Sequence, residues 1–204
     1  MSTDAEQTRE RIIAAAARLF YNEGIRAASV DAIAEKAGVT KKTLYYHFRS
    51  KDDLIAAYLA SRDQPTLDLY ARWFNETPGS AADKIRGLFN EFARSADTAR
   101  WKGCGFQRTA AELAGTPGHP ALKAGASHKK RFEAWLADAL GREIDNASAV
   151  ARSIVVLLDG AAAVMLVHRD PAYVQAAGTV AASLVEHTRA AAAGPRLEAV
   201  QRRP

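Results

Sequence analysis

Residues 24–54 constrain the fold of this chain more than any other stretch. Two short apolar-faced segments meet at Ala37, Gly38 and Val39, a spacing that suits a tight helical hairpin. Ile33, Ala34 and Ala37 recur at helical spacing, so the first segment has one apolar face. Gly38 supplies a turn conformation that a Cβ opposes, and Val39 plugs the angle between the helices. Thr40 is placed to cap the second helix and Ser50 a third, with Ser50 and Asp53 spaced like a capping box. Leu44 and Phe48, one helical turn apart, face inward. Lys41, Lys42, Thr43, Tyr46 and His47 are then left largely outward, with Tyr45 beside them.

That outward face has the chemistry of a DNA reader. Its cations and hydroxyl match phosphate oxygens, and its aromatic and polar groups match base edges. The segment reads as a helix-turn-helix whose second helix enters a groove. A plain hairpin with a solvated charged face is the alternative, and turn spacing and surface chemistry together favour DNA.

The segment resembles the DNA-binding domain of the tetracycline-repressor-like (TetR) family of transcriptional regulators. The resemblance is carried by Ser29, Val30, Ile33 and Ala34, by the turn at Gly38, by Thr43 to Phe48, and by Ser50 to Leu54. The apolar helix over 11–20, closed by Asn22, Glu23 and Gly24, also fits. Beyond the first quarter of the chain only length and helicity match. The resemblance implies that Ser29, Thr40, Lys41, Lys42, Thr43, Tyr45, Tyr46, His47 and Lys51 contact double-stranded operator DNA, Ser29 at a phosphate. It further implies a small-molecule cavity among the body helices that precede a dimerising pair.

Charge is distributed accordingly. The formal net charge is +5. From Arg26 to Lys51 there are six basic residues against two acidic ones, and from Arg189 onward four arginines against Glu198. The remainder is slightly acidic, which suits a body that does not itself hold nucleic acid. One cysteine, Cys104, excludes an intrachain disulfide. The polar first residues are unlike a signal peptide, and the longest apolar run, 154–167, contains Asp159 and is short for a membrane span. A cytoplasmic protein without a membrane partner is expected.

After the head the pattern is helix after helix, so the fold class is all-α: a helix-turn-helix domain over 1–50, a helical ligand-binding and dimerisation domain over 51–191, and a loose basic tail over 192–204. Pro65 interrupts the helix that begins at Lys51, so a kink, or a break with Pro65 opening a second helix, is expected. The helix over 147–168 is apolar on nearly all sides, which calls for cover on all sides. A second apolar stripe follows over 174–185. Packing against a second copy, through Val156, Ala163, Val180 and Leu184, supplies that cover as a four-helix interface.

Catalytic signatures are missing: no nucleophile elbow, zinc-protease motif, phosphate loop or dinucleotide fingerprint occurs. The five histidines include no pair at helical spacing, so neither a metal nor another cofactor is expected. The chain reads as a non-enzyme. Tyr70, Trp73, Phe89, Phe92, Trp101, Phe106, Phe132 and Trp135 are candidate cavity linings, with Arg108 and Cys104 as polar members. Cys104, flanked by Gly103 and Gly105 and near several cations, is also the one candidate thiol sensor; as a free cysteine it equally suits a buried apolar role. The expected function is ligand-responsive transcriptional regulation, as a repressor that holds a palindromic operator as a dimer and is released by an effector. The alternative is a redox or effector module with Cys104 as input.

Overall fold

A computed structural model describes residues 3–141 and 143–192, the side chains of 189–192 excepted. The described elements are α1 (Asp4–Glu23), α2 (Val30–Ala37), α3 (Lys41–His47), α4 (Lys51–Glu76), α5 (Ala81–Ala96), α6 (Gly105–Glu112), α7 (Pro120–Leu140), α8 (Ala147–His168) and α9 (Ala172–Ala192). No strand occurs among the described residues. The tail expected over 192–204 lies outside them, apart from the backbone of Ala192.

Local chemistry fixes the head. Ser29 Oγ accepts the Ala32 N–H at 3.1 Å and Thr40 Oγ1 the Thr43 N–H at 3.0 Å, so α2 and α3 each start on a hydroxyl cap. Gly38 sits in the left-handed region at φ 66° and ψ 37°. Its N–H reaches the Glu35 carbonyl while that of Val39 reaches Ala34, the paired bonds of a Schellman end. Only a residue without Cβ adopts this turn cheaply. Ile12, Ala16, Phe20, Ile33, Leu44 and Phe48 close the core beneath. Leu44 is fully buried, and its loss to alanine in so small a unit would cost about 2–5 kcal/mol.

This core does not stop at position 50. Leu54, Ile55, Tyr58 and Leu59 of α4, Phe106 of α6, Leu113 after it and Ala121 of α7 join it. The second half of α4, with Leu67 and Phe74, belongs to the body core. One helix thus runs through both cores. It is unbroken at Pro65. Proline leaves the Ser61 carbonyl without its helical donor, and neighbouring contacts hold the helix together: the Thr66 hydroxyl donates to the Arg62 carbonyl at 2.7 Å. Asp63 is anchored to α7 by His128 Nδ1 at 2.8 Å and by the Arg131 guanidinium.

In the body, α9 passes so close over α5 that a Cβ on Gly178 would lie 2.6 Å from Phe89 Cβ. Ile154, Val155, Leu158, Ala162 and Met165 bury one side of α8. By length and hydropathy α8 passes for a membrane-crossing helix, yet it packs on α7 and α9, and Asp159 within it pairs with Lys129 of α7. Its other side stays open. Val156 is 66% exposed and Val167 75%; Gly160 and Ala163 between them are exposed too. On α9, Val180 is 50% and Leu184 37% exposed.

Candidate DNA interface and effector cavity

The outward face of α3 is organised as its spacing implies. Leu44 anchors the helix, leaving Tyr46 83% and Tyr45 44% exposed. The Tyr46 ring meets His47 edge-on at 5.2 Å. Lys42 is exposed. Lys41 pairs with Asp31 at 3.0 Å on the surface, and the hydrogen bond to Asp31 raises its pKa above the ordinary lysine value. This exposed pair links α2 to α3 and, as a surface ion pair, contributes little to stability. The Thr40 and Thr43 hydroxyls lie 2.8 Å apart. Ser29 accepts its cap bond yet keeps its O–H to donate. Lys51 is less free: its ammonium lies 3.4 Å from the Arg26 carbonyl, and burial lowers its pKa below the usual lysine value.

A cavity of about 510 Å³ opens between head and body. It falls in the range of small-molecule sites, about 300–1,000 Å³. Tyr70, Trp73, Phe92, Trp101, Cys104 and Phe106 line it, as the aromatic pattern implies. Four candidates lie elsewhere. Phe89 is fully buried between α5 and α9. Phe132 backs Tyr70 with ring centroids at 4.9 Å. Trp135 stacks on Phe132 and borders a separate depression beside Leu67 and Arg131. Arg108 donates to the Tyr21 carbonyl at 2.8 Å, tying α6 to the end of α1. Helical spacing marks Phe89 and Phe132 as inward, and inward here means core.

A second tie joins α6 to the head. The Glu112 carboxylate accepts the N–H groups of Ile25 at 3.3 Å and Arg26 at 3.1 Å. The Arg26 guanidinium in turn donates to the Glu112 carbonyl at 2.6 Å. The loop between α1 and α2 is therefore clamped by the last residue of α6. Gly24, at φ 93°, turns the chain so that the carboxylate can sit against it.

The family description "Bacterial regulatory proteins, tetR family" matches residues 12–58, the span from α1 into the first half of α4. A TetR-family transcriptional regulator from Streptomyces coelicolor, solved by crystallography, superposes with a TM-score of 0.75 at 30% identity, over 90% of this chain and 97% of that one. This chain belongs to the TetR family. It is similar to the HTH-type transcriptional regulator SrpR of Pseudomonas putida, 47% identical over 64 residues that make up 31% of this chain and 30% of SrpR. The HTH-type transcriptional regulator TtgR of Pseudomonas putida is 36% identical to this chain over 102 residues, 48% of each. The matches thus span half or less of these curated relatives. The protein is a DNA-binding transcriptional regulator of this family, with the all-α architecture of its solved relatives.

Several residues of the cavity wall in this TetR-family chain carry no mark in the aromatic pattern of the sequence. Arg18, Tyr21 and Asn22 place α1 of the head on its wall, and Tyr58, Arg62 and Thr66 extend it along α4. The α4 set was open to discovery, because Tyr58, Arg62, Thr66, Tyr70 and Trp73 follow one helical face. The α1 set gave no such signal. Among the described residues no group of three or more metal-ligating side chains comes together.

Proposed function

We propose that this regulator is a homodimeric repressor that grips a palindromic operator through α3 and releases it when a small molecule fills the cavity between head and body. The division into a reading head over 1–50 and a regulatory body over 51–191 follows this division of labour. The observation that carries the DNA contact is the capped, rigid α3 with Lys42, Tyr45 and Tyr46 projecting from it. Lys41, Lys42 and Lys51 act mainly by charge, Ser29, Thr40 and Thr43 at phosphates, and Tyr46 and His47 at base edges. Such a partner implies a cytoplasmic setting.

The dimer reading rests on the open apolar faces of α8 and α9, with Val156, Ala163, Val180 and Leu184 in two adjacent stripes. A twofold pairing of these helices buries both stripes and sets the heads about 34–36 Å apart, one turn of duplex, or a multiple. Release requires a ligand that binds unequally to two head spacings, typically with about 1–3 kcal/mol of coupling. The cavity touches α1, α4 and α6, so its occupant bears directly on head tilt. Fluorescence anisotropy of labelled duplex tests the reading. Binding should be salt-dependent and should be weakened by Lys42→Ala and Tyr46→Ala; loss of binding to neither variant would remove α3 as the reader. Cys104 lies on the same cavity wall, half-buried, so oxidation of its thiol is a second route to the same release. Operator affinity that falls on peroxide treatment and survives it in Cys104→Ser would favour that input.

A further inference from the structure

The cavity has a polarity that narrows its occupant. Arg18 and Arg62 line it, and neither aspartate nor glutamate does. The first turn of α6 forms part of the wall, through Cys104, Gly105 and Phe106. That turn is uncapped: Cys104 occupies the N-cap position and its side chain accepts no cap bond. The first helical bond runs from Arg108 N–H to the Cys104 carbonyl at 3.0 Å, so the amides before Arg108 have no helical partner. Free amides at a helix start, on the positive end of its dipole, favour an anion.

A second feature points to the same spot. Tyr58 also lines the cavity. It is only 5% exposed, and its hydroxyl makes no hydrogen bond among the described residues. A Cβ on Gly105 would stand 2.9 Å from that hydroxyl, so the phenol donor lies against the first turn of α6. Among the enclosed side-chain polar atoms of the described residues only His119 Nε2 lacks a partner, so the Tyr58 oxygen is not sealed off and opens on the cavity it lines. Burial pushes the Tyr58 phenol up, and the charges of Arg62 and Arg108 oppose this only in part. Rings supply the rest of the wall: Tyr70 is tilted against Trp73 at 5.6 Å and Phe92 meets Trp101 edge-on at 6.1 Å. The cavity therefore combines donors and cations with flat apolar surface.

We infer that the cavity takes an amphipathic aromatic anion, its carboxylate held by the first turn of α6, the Tyr58 hydroxyl and Arg62, and its rings set between Tyr70, Trp73 and Trp101. This assignment rests on the effector reading above. The occupant joins α4 and α6 through its charge while Arg18 and Tyr21 of α1 close over it, so the anion bridges head and body.

Calorimetric titration of the full chain with 2-naphthoate, 2-naphthamide and 2-naphthylmethylamine tests the inference. The acid should bind at least about tenfold more tightly than the amide, and the amine least, since charge-assisted hydrogen bonds are the strong ones. Tyr58→Phe and Arg62→Gln should each weaken the acid about tenfold and move the amide less than about twofold. Arg62 is exposed, so its variant keeps the fold even if Tyr58→Phe does not. Equal binding of acid and amide overturns the anion while leaving an effector cavity in place. Acid preference undiminished in both variants overturns the seat. If none of the three binds at about 1 mM, the effector reading falls with it.

Discussion

Removing the Glu112 carboxylate should loosen the head without touching its own core. In Glu112→Ala two backbone donors lose their acceptor, Ile25 N–H at 3.3 Å and Arg26 N–H at 3.1 Å. Arg26 is exposed and water replaces its partner, so that bond contributes little. Ile25 is 3% exposed, and a part-buried donor left unsatisfied costs about 1–2 kcal/mol. For a chain of this size that lowers the melting temperature by about 2–8 °C. The bonds from Arg26 to the Glu112 carbonyl survive, because the backbone is unchanged. Hydrogen exchange gives the sharper readout: the Ile25 and Arg26 amides should lose protection while those of α5 and α9 keep theirs. Glu112→Gln retains one acceptor oxygen and should recover part of the loss. Unchanged protection at Ile25 together with an unchanged melting temperature would refute the clamp.

Other perturbations follow from the same geometry. Lys51→Ala should weaken binding to all DNA sequences alike and reduce the salt slope by about one unit; an unchanged slope in titrations with potassium chloride would count against its phosphate contact. Leu184→Glu places a charge on the open stripe of α9 and should yield monomers in sedimentation with lowered operator affinity and an intact helical spectrum. Phe92→Ala should blunt the effector response while Trp135→Ala leaves it, because only Phe92 lines the cavity; equal effects on operator release would contradict the wall described here. Acid should destabilise the junction of α4 and α7. Burial lowers the pKa of His128 below the ordinary histidine value, against the pull of Asp63. The folded state therefore binds fewer protons than the unfolded one, and stability falls as pH drops below about 6.5. Burial pushes the Asp63 carboxyl up, but its bonds from His128 and Arg131 hold it below the usual range, which adds a further loss at lower pH. Melts at decreasing pH should show this decline, and His128→Asn, which keeps a donor without the titration, should flatten the upper part of it.

The head was legible because its determinants are local. A glycine that must be left-handed, two hydroxyl caps and an inward Leu44 all act within a few residues, so spacing alone locates α2 and α3. The all-α class followed from periodicity for the same reason. The exposed stripes of α8 and α9 were visible as an excess of apolar residues that one chain could not cover. The cavity was only half legible. Tyr70, Trp73 and Phe92 on the wall and Phe89, Phe132 and Trp135 behind it share the same periodicity, and only the relative rotation of α4, α5 and α7 sorts them. The Glu112 clamp joins positions 86 and 87 residues apart, and no local pattern announces it. Pro65 favours a break by local rules, yet α4 continues because Asp63 is pinned to α7 and both cores grip the helix on either side.

The central claim, a symmetric pair of α3 helices reading DNA, is tested most directly by selecting bound duplexes from a random-sequence pool with the full chain. The expected product is an inverted repeat whose half-sites are centred about 10–10.5 bp apart or at a multiple of that spacing, and enrichment should vanish with Tyr46→Ala. Enrichment of a single asymmetric site, or no enrichment above the starting pool, would contradict it.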